Sequence, residues 1–313
     1  MTWSNHRVDD YFKSKFRGCI LGLAVGDALG APFEGAWPTA ASQIRAKAAR
    51  SENLRYTDDT HMAIGVAESL IACGSFDGRH MADIFITNFD REPWRGYGAG
   101  PPRIFQKIKA GASWDEAATD IYPGGSYGNG SAMRVAPVGL FYHHAFDLLI
   151  DAASRQSIIT HTHPWGREGA VLQALAVALA VNSEFPLSPE KILAWLQEQE
   201  ADDLYRQKLQ EAENLLETDN AAEIASVLGN GIEAFNAVPT AICCALHHPN
   251  SYADSVVEAI SLGGDTDTIA CMTGAISGAA LGIEDIPEDW LAKLENRDYL
   301  DSLAVQLWEA VRL

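Results

Sequence analysis

Gly18, Gly22, Gly26 and Gly30 recur at every fourth residue of an otherwise apolar stretch. Helical pitch keeps residues i and i+4 on one face, so the four glycines form a bare stripe. Each glycine costs a helix about 0.5–1 kcal/mol relative to alanine, and a row of four therefore needs a compensating gain. Either another backbone crosses at close range or a ligand approaches; packing is the simpler account. Asp27 lies inside the same stretch. A carboxylate buried there must be hydrogen-bonded, as a support for a neighbouring polar site or as a purely structural acceptor. Residues 10–30 are thus predicted as a core helix, ended by Pro32-Phe33-Glu34-Gly35.

The rest of the chain repeats the helical period. Apolar residues at helical spacing predict helices at 58–73 (closed by Gly74), 78–91, 145–160, 166–182, 188–198, 200–217, 221–228, 238–247, 252–262, 267–281, 287–295 and 298–311. Pro186, Pro249 and Pro287 punctuate them, and 270–282 carries a second small face of Gly274, Ala275, Gly278 and Ala279. No alternating segment is long enough for a strand. Two stretches, Arg95–Pro102 and Gly124–Gly130, are too rich in glycine for regular structure, and Ser131–Arg134 starts a helix after the second. The expected fold is all-α, a single compact multi-helix domain over 10–313 with residues 1–9 as an N-terminal extension.

Two acidic blocks stand two hundred residues apart: Tyr56-Thr57-Asp58-Asp59-Thr60 and Ser261-Leu262-Gly263-Gly264-Asp265-Thr266-Asp267-Thr268. Both precede apolar helical runs. Asp and Thr there can simply cap helices. One cap needs one Asp, however, and four clustered carboxylates repel without a cation. Hard divalent ions take several oxygen ligands, so the blocks together suit a pair of such ions. Glu34, in its Pro/Gly-bounded loop, is either a solvated residue or a catalytic carboxylate. The glycine-rich loops are either flexible connections or surfaces whose N–H groups meet phosphates, with Tyr97, Tyr122 and Tyr127 near enough to suggest a stacked base. His161 and His163, between helices, are hydrogen-bonding or structural residues; His143-His144 and His247-His248 look like polar helix ends.

A formal charge of −19 lacks the basic footprint of a duplex nucleic-acid binder. It permits an anionic small molecule only where bound cations reverse the local sign. Cys19, Cys73, Cys243, Cys244 and Cys271 have neither zinc spacing nor an even count, and are expected as buried free thiols in a reducing compartment. No signal peptide is visible in residues 1–10. The run Gly18–Gly30 is expected to be too short to span a membrane. A cytoplasmic monomer with no membrane contact is the expectation.

The motifs Gly26-Asp27-Ala28-Leu29-Gly30 with Glu34, Thr57–Thr60, Gly96–Gly100, Gly125–Gly130, Leu228-Gly229-Asn230-Gly231 and Gly263–Thr268 occur in that order. The set resembles the ADP-ribosylglycohydrolase family from about Phe16 onward, and within it the branch acting on serine-linked ADP-ribose. The resemblance implies an all-α fold with two Mg2+ ions (Mn2+ as alternative) in a cleft. It implies metal ligation by Thr57, Asp58, Asp59, Asp265, Asp267 and Thr268, and a catalytic role for Glu34 on a mobile loop. Substrate contacts would come from Gly96, Gly98, Gly100, Gly125, Ser126, Tyr127, Asn129 and His161. The loop before Gly125 is one residue shorter than the family pattern, and Tyr122 stands in for the adenine-stacking aromatic. The implied substrates are O-linked: ADP-ribosyl-serine, poly-ADP-ribose and O-acetyl-ADP-ribose, with ADP-ribosylated proteins or peptides as partners. The alternatives are arginine-linked ADP-ribose, a dimetal phosphohydrolase cleaving a nucleotide diphosphate, or a module that binds ADP-ribose without turnover.

Overall fold

The glycine stripe meets a backbone. In a computed structural model, which describes residues 5–183, 188–218 and 220–311, the first helix, α1 (Asn5–Gly30), lies antiparallel to Thr266–Leu281. A Cβ placed on Gly18 would lie 2.3 Å from the Gly278 carbonyl oxygen, one on Gly22 2.5 Å from that of Gly274, one on Gly26 2.1 Å from that of Ala270, and one on Gly30 2.5 Å from that of Thr266. The two small-residue faces that the sequence offers separately are thus the two sides of one contact. Glycine gives up helix propensity here so that two backbones can touch.

Around this pair the described residues form sixteen α-helices and no strand, only two isolated bridges, Leu54 with Leu294 and Gly128 with Glu233. After α1 come α2 (Ala41–Arg50), α3 (Asp58–Cys73), α4 (Gly78–Arg91), α5 (Gly100–Lys109), α6 (Ala136–Phe141), α7 (Phe146–Ile158) and α8 (Pro164–Asn182). The second half holds α9 (Pro189–Gln199), α10 (Asp203–Asn214), α11 (Ala221–Leu228), α12 (Ala234–His247), α13 (Tyr252–Ser261), α14 (Thr266–Leu281), α15 (Glu288–Leu291) and α16 (Arg297–Val311). The fold is an all-α single domain, with one continuous apolar core built on α1, α8, α12 and α14.

Local chemistry explains several boundaries. Asp77 accepts from His80 N–H and starts α4; Asp202 accepts from Leu204 and Tyr205 N–H and starts α10; Gly74, left-handed at φ 66°, closes α3. The structure departs from the sequence-based expectation in several places. Residues 5–9 already belong to α1. The glycine-rich stretch 95–102 turns helical at Gly100, because Pro101 and Pro102 are well suited to a first turn. Ser131–Arg134 is not a helix start: a single 3₁₀ turn covers Asn129–Ser131, and α6 begins at Ala136. α12 starts four residues before 238, with Pro239 placed in its second turn, and 287–295 holds only the four residues of α15. The punctuation assigned to Pro186 lies outside the described residues.

Three other expectations need correction. Cys73 is exposed at the end of α3, while Cys19, Cys243, Cys244 and Cys271 are buried and free. His143 is fully buried; its Nδ1 lies 2.7 Å from the Leu140 carbonyl oxygen, and burial pushes its pKa down to about 4. The apolar first helix is not too short to span a bilayer: Asp9–Phe33 passes by length and composition, but 78% of its most apolar window is buried within the protein.

Candidate active site

Both acidic blocks sit at helix starts beside the end of the glycine pair. Thr57 is the N-cap of α3, with its Oγ1 accepting from Asp59 N–H, which leaves Asp58 and Asp59 in the first turn. Asp27, near the end of α1, fixes this corner. Its carboxylate accepts from Thr57 N–H (3.0 Å), Thr57 Oγ1 (2.9 Å), Thr60 N–H (3.1 Å) and Thr60 Oγ1 (2.6 Å). These are the donors that a buried carboxylate requires, and the same bonds set the first block in place.

The second block is shaped by backbone. Gly263 and Gly264 are left-handed at φ 71° and 72°, and a Cβ on Gly264 would strike the Asn230 carbonyl oxygen at 2.2 Å. That same oxygen accepts from Asp265 N–H at 2.8 Å, and Asn230 Nδ2 donates to the Leu262 carbonyl. The Leu228–Gly231 motif is therefore a splint for Asp265. Gly35 N–H donates to the Gly264 carbonyl, and Gly264 N–H donates to the Ala36 carbonyl. This reciprocal pair pins the segment carrying Glu34 to the second block. One carboxylate oxygen each from Glu34, Asp265 and Asp267 lies within 4.8 Å of the others.

Four aspartates and Glu34 so close together are electrostatically costly. Burial, reinforced by Asp27 and Asp267, pushes Asp58 up to about 8. Burial and Asp265 push Asp267 to about 7; burial raises Asp59 and Asp265 as well. Glu34 is raised by the charge of Asp267 and then by burial. Asp59 Oδ1 is buried with no hydrogen-bond partner. A buried carboxylate oxygen without a donor is uncommon. An all-oxygen donor set with one orphaned oxygen fits a hard divalent cation.

These carboxylates form the floor of a cleft of about 320 Å³, lined by Glu34, Asp58 and Asp265 below and by both glycine-rich loops above. Gly96, at φ 93°, passes beside Asp58. Gly98 and Gly100 follow, and the Tyr122 ring stands against Gly100. Ser126, Gly128, Asn129 and Gly130 line the opposite wall with His161 behind them; Asn129 Nδ2 donates to Asp265. Burial, then the Arg134 charge, lowers His161 to about 3, so it is neutral.

Ten of the sequence-derived site residues thus lie on the cleft wall. Asp59, Asp267, Thr57 and Thr268 stand beside or beneath it. Gly125 and Tyr127 are outside the lining. Gly125, at φ 86°, packs against Thr162 and His163, and Tyr127 turns into an aromatic group with His163, Trp165 and Phe235. Tyr97 is drawn away too: its hydroxyl meets His61 Nδ1 at 2.8 Å and its ring packs on Phe89.

The family model described as ADP-ribosylglycohydrolase matches residues 8–313. The chain belongs to the ADP-ribosylglycohydrolase family. ADP-ribosylhydrolase ARH3 of Mus musculus is 38% identical over 339 residues, covering 94% of this chain and 91% of that protein. ADP-ribosylhydrolase ARH3 of Bos taurus is 39% identical over 337 residues, covering 94% and 92%. The fold is shared with a solved ADP-ribosylglycohydrolase-related protein complex at TM-score 0.73 and 24% identity, over 96% of this chain and 99% of that one. This ADP-ribosylglycohydrolase is an enzyme that hydrolyses glycosidic bonds of ADP-ribose.

Sequence reasoning gave no role to several residues of the ADP-ribosylglycohydrolase cleft: Met62, Met133, Arg134, Thr160 and Ile232. Arg134 is the most informative. It is fully buried, stacks over Phe85, and donates to the side-chain and main-chain oxygens of Gln156. The available signal was an arginine set among Ala132, Met133, Val135 and Ala136, where a charge has to be held by partners.

Proposed function

We propose that the cleft hydrolyses O-linked ADP-ribose, with seryl ADP-ribose as the preferred substrate class, and that it needs divalent metal, Mg2+ or Mn2+. The observation that carries this reading is the convergence of Glu34, Asp265 and Asp267 on one point of the cleft floor, facing two glycine-rich walls. Asp58, Asp59, Asp265 and Asp267, with the hydroxyls of Thr57 and Thr268, are the residues that would hold two ions. Bound there, such ions supply Lewis acidity and neutralise the crowded carboxylates.

The chain's own groups do the rest. Backbone N–H groups of Gly96–Gly100 and of Ser126–Gly130, apart from those of Gly128 and Asn129 that bond within the protein, suit a diphosphate, and Arg134 gives that wall a positive charge in an otherwise acidic protein. Tyr122, half-exposed beside Gly100, offers a ring face to a base. Glu34 is the proton-transfer group, giving a proton to the leaving oxygen or taking one from the attacking water. Asp267 raises its pKa, which brings it nearer to neutrality, where an acid–base group is most effective. An ordinary glycosidase would instead use a dedicated carboxylate pair. Without a proton serine would have to leave as an alkoxide, so it depends on such an acid, which lets it leave as the neutral hydroxyl, more than a guanidinium does. The same reading takes the protein as a monomer of a reducing, cytoplasmic setting.

The test is release of free ADP-ribose from matched seryl and arginyl peptides at equal enzyme, with Mg2+, with Mn2+ and with EDTA. Faster seryl release that EDTA abolishes is expected. Faster arginyl release would reverse the linkage assignment, and unchanged turnover in EDTA would remove the metal requirement.

A further inference from the structure

At the C-terminal end of α12 a second group of ligand-bearing side chains converges. His247 is the last residue of α12, His248 follows it as the cap, and Glu258 faces them from the middle of α13. His247 Nδ1 lies 2.8 and 2.9 Å from the two carboxylate oxygens of Glu258, and His248 Nε2 lies 3.4 Å from Oε2. One ligand atom from each of the three falls within 4.8 Å of the others. We propose that His247, His248 and Glu258 form a transition-metal site of the zinc type, separate from the catalytic cleft.

Glu258 has two carboxylate oxygens, and both imidazoles are turned to them with ring centroids 4.7 Å apart. The three ligand-bearing groups are therefore already gathered at one point, where a divalent ion would replace the protons that now bridge them. The geometry suits it. Zinc–nitrogen and zinc–oxygen bonds of about 2.0–2.1 Å in a tetrahedron separate neighbouring ligand atoms by about 3.3 Å. The two nitrogen–oxygen separations, 2.8 and 3.4 Å, need a shift of only about half an ångström to admit the ion, and the two ring nitrogens lie within 4.8 Å of each other. Two imidazoles and a carboxylate form a borderline donor set, which favours zinc and its neighbours over Mg2+. The acidic cleft, all oxygen, has the opposite preference.

The exposure pattern agrees. The side chains of Glu258 and His247 are only 11% and 12% exposed, while that of His248 is 32% exposed and leaves a fourth position open to water. Cys243, one turn back on α12, is not a ligand, since its Sγ is directed to the Ala212 carbonyl. The site is about 20 Å along α12 from Ala234, whose N–H is bonded to the Tyr127 carbonyl at the cleft. Its role is structural. It clamps the end of α12 to α13, and α13 leads directly into the Gly263–Asp265 turn.

Stoichiometry and position can be read together. The protein is stripped with chelator, loaded with excess Mg2+ to occupy the cleft, and titrated with Zn2+ by native mass spectrometry, calorimetry and thermal melting. Four proteins are compared: the wild type, His248→Gln, Glu258→Gln, and Asp59→Asn as a cleft control. Melting in EDTA checks that His248→Gln remains folded. One zinc should bind the wild type and Asp59→Asn and raise their Tm. His248→Gln and Glu258→Gln should bind it at least tenfold more weakly and show no Tm rise. Co2+ in place of zinc should give a tetrahedral visible spectrum that His248→Gln lacks. Failure of the wild type to bind zinc in Mg2+ overturns the proposal, as does unchanged zinc affinity in His248→Gln. Loss of the bound zinc in Asp59→Asn would place it in the cleft and overturn the proposal equally.

Discussion

Alanine at Gly26 or Gly278 tests the contact that organises the fold. A Cβ on Gly26 would meet the Ala270 carbonyl oxygen at 2.1 Å, and one on Gly278 the Gly18 carbonyl oxygen at 2.0 Å. Ordinary contact begins near 3.4 Å, so the helices must separate by more than an ångström. Overpacking of this kind costs about 1–3 kcal/mol and more where backbone must move. Alanine returns about 0.5–1 kcal/mol of helix propensity. The expected net loss is about 1–2 kcal/mol per substitution, a fall of roughly 2–3 °C in Tm for a chain of this size. Gly98→Ala is the control: nothing lies within 4 Å of its added Cβ, so its stability should stay within about 0.5 kcal/mol of wild type. Activity separates the two test positions. Gly278 is eleven residues along α14 from Asp267, about 16 Å, and Gly278→Ala should keep kcat once folded. Gly26 adjoins Asp27, and Gly26→Ala should lose kcat as well. Thermal melting and ADP-ribose release on the three variants decide it. A neutral or stabilising alanine at both Gly26 and Gly278 would refute the close contact, and with it the reason given for the stripe.

Three further outcomes are expected. Asp27→Ala strips the acceptor from the N–H and hydroxyl donors of Thr57 and Thr60; at about 1–3 kcal/mol per stranded buried group it should be among the most destabilising single changes, and denaturant melts showing a loss below 1 kcal/mol would contradict its anchoring role. Asp59→Asn should match or exceed wild-type stability in EDTA, because burial and the neighbouring carboxylates already disfavour its charge, yet gain less Tm from Mg2+ and lose turnover; an equal gain from Mg2+ would count against ligation by Asp59. Glu200 is raised to about 8, by burial first and then by the charge of Glu168. Between the ordinary glutamate range and pH 8 the unfolded chain has released this proton and the folded chain retains it, so stability falls as pH rises. Glu200→Gln should therefore raise Tm more at pH 8 than at pH 5, and equal shifts at the two pH values would rule out the buried pair.

Part of the fold and of the site was legible in the chain. Helices α3, α4 and α11 end where their apolar period, caps and glycines say, because those signals act within one or two turns of backbone. The sequence also determined that four glycines on one face must meet something close, and it pointed to one site for the two acidic helix starts, since clustered carboxylates need a cation or retained protons to relieve their repulsion. Neither statement names the partner. That Gly18–Gly30 meets Thr266–Gly282, that Asn230 splints Asp265, and that Gly35 and Ala36 bind Gly264 all depend on residues far apart in the chain. Contacts of this range leave in neither segment a mark that names the other. The same limit hid α2 and α5, short helices whose burial is decided by neighbours, and Arg134, whose partners Gln156 and Phe85 lie far from it in sequence. It also misdirected Tyr97: an aromatic beside a glycine-rich loop reads alike whether its ring faces a cleft or packs into the wall behind it. Local chemistry is written in the sequence; which surfaces meet is settled only when the whole core packs at once.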